Sequence, residues 1–185
     1  MILNRNFFER DTVLVAQDLL GIKLVHRSEH GILSGIIIET EAYTADDQAC
    51  HAYSGKTERN RALFGPVGHA YVYKSYGIHF CFNVVAHSNN QHAGGVLIRV
   101  LQPLDGIDIM HQLRGISKKE LLTSGPGNVT KALHINAHHY GTDLLSNSKL
   151  YIEPGIIIDP NNIIATPRIG ISKATDTLWR FVIKQ

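Results

Sequence analysis

The sequence predicts a single α+β domain built on a mostly antiparallel β-sheet. Segments with strand character outnumber those with helical character, and the two kinds do not alternate regularly as they do in parallel α/β folds. Ala70–Lys74 and Ile78–Ala86 are aromatic and β-branched and flank Ser75-Tyr76-Gly77, which predicts a β-hairpin with a positive φ at Gly77. With 185 residues, the chain has the length of one domain, residues 1–185.

The other elements follow from capping residues and apolar runs. Asp11 can cap a helix that ends before Gly21, and Asp105 can cap another that ends before Gly115. Ser117–Glu120 fits a capping box for a short helix. Residues 44–68 are polar and glycine-rich, which predicts a long irregular segment of the kind that is often functional. The strands predicted outside the hairpin are Ile22–Arg27, Leu33–Glu41, Gly95–Leu101, Tyr151–Ile152, Ile163–Ile171 and Trp179–Ile183.

Composition is that of an ordinary globular protein. Apolar residues make up 44% and charged residues 18%, which excludes disordered, collagenous and coiled-coil chains. Aliphatic runs such as Ile36–Ile38 are far shorter than the ~20 residues of a membrane helix. The N-terminal segment lacks the apolar core of a signal peptide, and the two cysteines, Cys50 and Cys81, cannot make a disulfide framework. We therefore expect an intracellular protein with no membrane association.

Charge is distributed unevenly, although the net charge is only +2. The segment Arg59–Leu104 contains arginines, a lysine and histidines but no carboxylate. Just upstream, Glu39, Glu41, Asp46 and Asp47 fall within nine residues. A basic region beside an acidic cluster suits an anionic ligand that has an acidic group close to it. A buried sheet that tolerates few charges of either sign would give the same pattern.

Two sets of side chains are candidates for chemistry. On a strand, Glu39, Glu41 and Tyr43 would share one face, and if both carboxylates were buried one of them would have a raised pKa. Such acids serve as general bases or metal ligands, although a solvated strand end is the alternative. In the hairpin, Tyr71 and Tyr73 share a face, and Tyr76 lies in the turn. A tyrosine at a hairpin tip could enter a nucleic-acid stack or a partner's pocket, or be an ordinary surface residue.

Sequence motifs of common enzyme classes are absent. The eleven histidines include His134 and His138, but there is no HExxH and no cysteine or carboxylate at ligand spacing, so we predict no metal site. The chain has no GxSxG, Walker or GxGxxG motif, and we predict no cofactor. The loop Gly125–Gly127 lacks the lysine of a P-loop but could still cradle a phosphate.

Eight blocks of sequence occur in an order that is typical of one family. They are IIETEAY (37–43), Ala-x-His (49–51), RNRALF (59–64), YVYKSYGIHFCFN (71–83), VLIR (96–99), LQPLDG (101–106), SGP (124–126) and RIGIS (168–172). The chain thereby resembles the alkyladenine (3-methyladenine) DNA glycosylase family over most of its length, most specifically in ETEAY followed by YVYxxYG. The resemblance implies a curved antiparallel sheet with flanking helices and a protruding hairpin. It also implies a monofunctional base-excision repair enzyme that acts as a monomer without a cofactor. Such an enzyme flips alkylated or deaminated purines out of duplex DNA and hydrolyses the N-glycosidic bond, leaving an abasic site.

The resemblance also implies a role for individual residues. Glu41 matches the general base that activates the attacking water. Arg99 matches the arginine that helps to hold this water and a nearby phosphate, and the carbonyl of Ile171 matches a group that touches the water. Tyr43 and His51 match residues that sandwich the flipped base, and Tyr73 matches one that stacks on it edge-on. Tyr76 matches the residue that intercalates into the duplex, and Asn83 matches the one that rejects 2-amino purines. Arg59 and Arg61 match residues that face phosphates.

The chain departs from the family pattern in three places. The spacing between Tyr43 and His51 is shorter than in the usual form, which could alter the edge of the pocket and the substrate range. His79 stands where an aromatic is common, and the long N-terminal arm of larger members is missing. Two other functions stay open from the residues alone. One is a non-catalytic nucleic-acid-binding module, and the other is a metal-dependent hydrolase that uses Glu39, Glu41 and nearby histidines.

Overall fold

A computed structural model describes residues 3–184 and shows an α+β fold on one curled antiparallel sheet, which confirms the predicted fold class. The strands are β1 (Lys23–Ser28), β2 (Gly31–Thr44), β3 (Ala70–Ser75), β4 (His79–Val85), β5 (Gly94–Pro103), β6 (Leu150–Glu153), β7 (Ile163–Thr166) and β8 (Arg180–Ile183). Their order is β3-β4-β5-β2-β1-β6, and β8 pairs with both β2 and β7. All pairs are antiparallel.

The long central strand β2 organises the sheet. One of its edges pairs with β5, while the other pairs first with β1 and then with β8. The register against β5 shifts on either side of Glu39, so that Ile38 and Arg99 have no partner in the ladder. Bulges of this kind bend a strand and redirect its side chains. The irregularity therefore falls in the part of β2 that carries both glutamates.

Short helices cover the sheet. Asp11 caps the second helix as predicted, because its carboxylate accepts hydrogen bonds from the N–H groups of Val13 and Leu14. No helix of the described residues has the length and hydropathy needed to cross a membrane. The helices are α1 (Arg5–Phe8), α2 (Thr12–Asp18), α3 (Ile107–Arg114) and α4 (Pro126–Ala132), and α2 packs on β2 and β5 while α4 packs on β4 and β5.

Two predicted helix caps are wrong. Asp105 does not cap α3, because its carboxylate accepts a hydrogen bond from Ser34 and pairs with Lys23, and Gly106 occupies the N-cap position instead. At Ser117–Glu120 a short 3₁₀ turn forms without a side-chain cap. At Asp105, long-range partners thus compete with local capping for the same side chain.

The predicted strand Ile163–Ile171 is also shorter than expected. Strand β7 ends at Thr166, just before Pro167, which has no N–H to donate to a ladder. The remainder of the predicted strand, including RIGIS, belongs to the loop 167–179 between β7 and β8. This loop forms no strand and returns toward the carboxyl end of β2, where the backbone N–H of Ile169 donates to Glu41.

Strands β3 and β4 form the predicted hairpin. Its last pair is Ser75 with His79, and both Tyr76 (φ 49°) and Gly77 (φ 70°) adopt a left-handed conformation. This is typical of a type I′ turn, which suits the right-handed twist of the strands. Tyr76 is 88% exposed and Ile78 is 71% exposed, so the tip of the hairpin presents apolar side chains to solvent.

A pair of histidine rings joins the sheet to the segment after α4. Nε2 of His139 lies 3.1 Å from Nε2 of His26, and Nδ1 of His26 lies 2.6 Å from the carbonyl oxygen of Leu133. The N–H of Asn136 donates to Nδ1 of His139 at 3.1 Å. Every nitrogen is satisfied when both rings are neutral, because His139 then donates to His26. Burial is the main cause that lowers the pKa of both histidines.

We expect the protein to lose stability as the pH falls below about 6.5, the ordinary pKa of histidine. Because the folded state lowers the pKa of His26 and His139, the unfolded chain binds more protons below this pH. For each additional proton that the unfolded chain binds, the free energy of unfolding falls by about 1.4 kcal/mol per pH unit. In urea unfolding at about pH 7.5 and about pH 5.5, His139→Gln should lose less stability on acidification than the native chain. Replacing the exposed His138 with glutamine is the control, and the same loss in all three proteins would contradict the prediction.

Candidate active site

A cavity of about 740 Å³ opens between the hairpin, the carboxyl half of β2, β5 and the loop 167–179. Residues from seven of the eight family-like blocks meet there, although they are far apart in the sequence. Gln48, Cys50, Pro126 and Lys173 also line the cavity. The site residues predicted from the sequence that line it are Tyr43, His51, Arg59, Tyr73, Tyr76, Asn83, Arg99 and Ile171.

Glu41 lies immediately behind the wall of this cavity and is fully buried. Its Oε2 accepts a hydrogen bond from the hydroxyl of Tyr43 at 2.7 Å, and its Oε1 accepts one from the N–H of Ile169 at 2.8 Å. Nη1 of Arg99 lies 3.3 Å from Oε2. All three partner residues line the cavity. The carboxylate is thus held in one orientation by groups that themselves face the open space.

Glu39 is buried beside two arginines. Its Oε1 accepts hydrogen bonds from Nε of Arg99 at 2.7 Å and from Nε of Arg180 at 2.6 Å. Burial alone would raise the pKa of Glu39, but the hydrogen bonds from Arg180 and Arg99 outweigh it, and the pKa is lowered. The raised pKa that the sequence predicts for one of the two carboxylates is therefore not found at Glu39. Arg99 bridges the two glutamates, and their burial excludes a solvated strand end.

Aromatic rings form one wall of the cavity. Nδ1 of His51 lies 2.9 Å from the hydroxyl of Tyr71, and the His51 ring meets the Tyr73 ring edge-on at 4.6 Å. Burial, with a contribution from the charge of Arg59, lowers the pKa of His51, so its imidazole is neutral near pH 7. Burial likewise raises the phenol pKa of Tyr43, Tyr71 and Tyr73, which stay protonated. The wall is therefore uncharged and rich in π-electrons.

Arg168 supports this site from behind and was missed by the sequence analysis as a site residue. Its guanidinium is buried, lies 4.7 Å from the ring centroid of Tyr43 and 5.3 Å from that of Trp179, and pairs with Asp47. It also donates to the carbonyl oxygen of Ala42 at 2.9 Å. The contact joins the RIGIS loop to the end of β2. An arginine that pairs with an aspartate more than a hundred residues away leaves no local spacing signature. The available signals were the acidic cluster at Asp47 and the place of Arg168 at the start of RIGIS.

The remaining predicted residues divide by position. The side-chain amide of Asn83 donates to a carbonyl oxygen of β3 at 3.0 Å and is buried in the cavity wall. The guanidinium of Arg59 lies 5.4 Å from the ring centroid of Tyr73, at the edge of the cavity. Arg61 does not line the cavity but is exposed and pairs with Glu58 at 3.4 Å.

Among the described residues, one group of three side chains is close enough together to bind a metal ion. That group lies outside the cavity. His51, the histidine of the cavity wall, has its Nδ1 engaged by Tyr71.

Comparisons with known proteins place the chain in a family. A family model described as methylpurine-DNA glycosylase matches residues 6–185. A protein named "Putative 3-methyladenine DNA glycosylase" from Carboxydothermus hydrogenoformans is 47% identical over 184 residues, covering 100% of this chain and 96% of its own. Proteins with the same name from Methanoculleus marisnigri (47% over 187 residues, covering 100% and 96%) and Chlorobaculum tepidum (45% over 180 residues, covering 96% and 85%) are also similar. Because the match runs along nearly the whole sequence, this chain belongs to the methylpurine-DNA glycosylase family of DNA repair hydrolases.

Proposed function

We propose that residues 1–185 form one monofunctional glycosylase domain that removes damaged purines from duplex DNA and leaves an abasic site. The observation that carries this proposal is the position of Glu41, a buried carboxylate fixed by three donors directly behind a cavity walled by aromatic rings. The volume of this cavity falls within the range of about 300–1,000 Å³ that is usual for small-molecule sites. The enzyme would act inside the cell as a monomer and need no cofactor.

Entry of a base into this cavity requires the nucleotide to leave the helix. Unstacking and unpairing cost a few kcal/mol, least for a damaged or mispaired base. Tyr76, exposed at the hairpin tip and also at the mouth of the cavity, is placed to fill the gap that the nucleotide leaves. The segment Arg59–Leu104, which has no carboxylate, would supply phosphate contacts, with Arg59 at the cavity edge and Arg61 beside it.

Selection of the base would come from stacking and from one amide. The base would lie between Tyr43 and His51, with Tyr73 edge-on, and each stacking contact contributes about 1–3 kcal/mol. An alkylated purine that carries a positive charge gains cation–π attraction from these uncharged rings, which favours 3-methyladenine. Asn83 would repel purines with a 2-amino group, because its amide N–H groups would face another donor. Hypoxanthine and ethenoadenine lack that group and are further candidate substrates.

Hydrolysis would pass through an oxocarbenium-like transition state. Water attacks C1′, its proton moves to Glu41, and the electron pair of the N-glycosidic bond leaves with the base. Arg99 and the carbonyl of Ile171 would hold the water, and the negative charge of Glu41 would stabilise the developing sugar cation. We infer that the incoming base displaces the Tyr43 hydroxyl from Oε2, which frees an acceptor for the water. No lysine is required as a nucleophile, so the DNA strand stays intact.

An excision assay on duplexes that each contain one lesion tests the proposal. The panel consists of 3-methyladenine, 7-methylguanine, hypoxanthine and ethenoadenine, with EDTA present in a parallel series. We expect release of at least one base, unaffected by EDTA, with strand breakage only after alkali. Binding without release would favour a non-catalytic DNA-binding module, and loss of release in EDTA would favour a metal-dependent hydrolase. Breakage without alkali would contradict the monofunctional assignment.

Shortening Tyr76 to alanine is expected to slow excision from duplex DNA by about 10- to 100-fold, because one stacking contact of about 1–3 kcal/mol is lost. Excision from a single strand should change little, since no gap has to be filled there. Tyr76 is exposed, so the fold should tolerate the change. Tyr76→Phe keeps the ring and should restore the rate. Equal losses in duplex and single-stranded substrates would contradict the intercalating role.

Replacing Asn83 with serine is expected to relax discrimination against guanine-type bases by about tenfold, the equivalent of one hydrogen bond of about 1.4 kcal/mol. Competition between duplexes that contain hypoxanthine or 7-methylguanine measures the ratio of excision rates. The amide donates to the backbone of β3, so we also expect a loss of about 1 kcal/mol in the free energy of unfolding. Cys81→Ser changes another residue of the cavity wall and should leave the ratio unaltered. An unchanged ratio in the Asn83 variant would remove this residue from base selection.

A further inference from the structure

The turn between β1 and β2 lies against the segment that follows α4, and the contact brings together three side chains outside the cavity. They are Glu29 and His30 from the turn and His134 from the segment. Their ligand atoms all lie within 4.8 Å of one another. Oε1 of Glu29 is 3.8 Å from Nε2 of His30 and 3.9 Å from Nδ1 of His134, and the two imidazole rings are 4.7 Å apart.

This geometry is close to that of a tetrahedral zinc site. Zinc binds imidazole nitrogen and carboxylate oxygen at about 2.0–2.1 Å, which places two ligands about 3.3 Å apart. The two measured distances to Glu29 exceed that value by about half an ångström. All three side chains are partly or largely exposed, so a small rotation of each can close the gap. Three protein ligands would leave the fourth position to water.

The surroundings of the two rings favour this use. Among the described residues, neither the His30 ring nor the His134 ring has a hydrogen-bond partner besides its contact with Glu29. His134 has a positive φ of 54°, which is uncommon for a residue other than glycine. The spacing in the sequence pairs His134 with His138, but the folded chain pairs it with the distant His30. The carboxylate of the group, Glu29, is equally distant from His134 in the sequence, so no carboxylate stands at ligand spacing beside His134.

We propose that Glu29, His30 and His134 bind one zinc ion, which clips the β1–β2 turn to the segment after α4. None of these residues lines the cavity, so the ion plays no part in the chemistry at Glu41. Its effect is on stability, because an ion that binds the folded chain and not the unfolded chain shifts the folding equilibrium. The ion joins two segments that are about a hundred residues apart, and so it opposes their separation.

Calorimetric titration of the EDTA-stripped full chain with zinc chloride, together with thermal unfolding, tests the site. We expect one zinc ion per chain, a rise in Tm with zinc, and an absorption spectrum of tetrahedral geometry when cobalt(II) replaces zinc. His30→Ala and His134→Ala should each weaken binding at least about tenfold and remove the rise in Tm. Glu29→Gln, on the exposed turn, is a milder variant that should also weaken binding.

The exposed His138 provides the matched control, since His138→Ala removes a nearby imidazole that is not in the site. It should leave zinc affinity and the rise in Tm unchanged. Base excision should be equal with and without zinc in all of these variants. The proposal is overturned if the native chain binds no zinc, if the His30 and His134 variants bind it as well as the native chain does, or if His138→Ala abolishes binding.

Discussion

Replacing Glu41 with glutamine is expected to reduce base excision by about 10³-fold, within the 10²- to 10⁴-fold that general-base catalysis contributes. Glutamine has the same shape but cannot accept a proton from water or carry the negative charge that stabilises the sugar cation. Single-turnover release of base from a lesion duplex measures the loss. Lesion binding, measured by gel shift, should change by no more than a few-fold, because Glu41 is behind the cavity wall rather than in it.

The packing around Glu41 makes this variant informative. The amide oxygen can still accept a hydrogen bond from the N–H of Ile169, and the Tyr43 hydroxyl can turn to accept from the new NH₂ group. Only the charge facing Arg99 is lost, so the fold should persist. Glu120→Gln, at an exposed position, is the matched control and should excise at the native rate. Native excision by the Glu41 variant would remove this residue from the mechanism.

Local patterns in the sequence were sufficient for those elements whose physics is local. The hairpin follows from β-branched and aromatic runs around a turn, and the cap of α2 follows from one aspartate beside the N–H groups that it accepts from. The exposed position of Tyr76 was also predictable, because a side chain at the tip of a hairpin has few neighbours. The left-handed conformation of Tyr76 itself was not, since a type I′ turn prefers asparagine or glycine there.

What the sequence could not show depends on contacts between distant segments. The bulge beside Glu39 and the pairing of Asp47 with Arg168 arise only when β2, β5 and the loop 167–179 meet. Asp105 illustrates the converse: a good local capping signal is overridden because Lys23, in another strand, competes for the carboxylate. The family-like blocks predicted residues that line the cavity, but not which groups hold Glu41.

Among the substitutions considered for this protein, removing the carboxylate of Glu39 should cause the largest loss in the free energy of unfolding. Glu39→Ala leaves Arg99 and Arg180 without their shared acceptor in a buried site, and breaking such a buried pair costs about 3–5 kcal/mol. Excision should also fall by about 10²-fold, because Arg99 loses the group that aims it at Glu41, and small misplacements of this kind are costly. Urea unfolding and single-turnover excision of the same protein measure the two losses.

A glutamate in an ion pair near the surface serves as the control. Glu153 pairs with Lys23 at 3.2 Å near the surface, and Glu153→Ala should cost less than about 1 kcal/mol and leave excision intact. Similar destabilisation by the two variants would mean that burial adds nothing to the Glu39 cluster.

The pH dependence separates the charge of Glu39 from its shape. The pKa of Glu39 is lowered in the folded protein, so its ionised form contributes stability above the ordinary glutamate pKa of about 4.5 and loses it as the pH falls through the folded value. Glu39→Gln retains the shape but never carries the charge. The difference in free energy of unfolding between the native chain and Glu39→Gln should therefore be largest near pH 7 and shrink in acid, as the native carboxylate takes up its proton. A difference that stays constant with pH would show that Arg99 and Arg180 need only an acceptor at this position and not an anion.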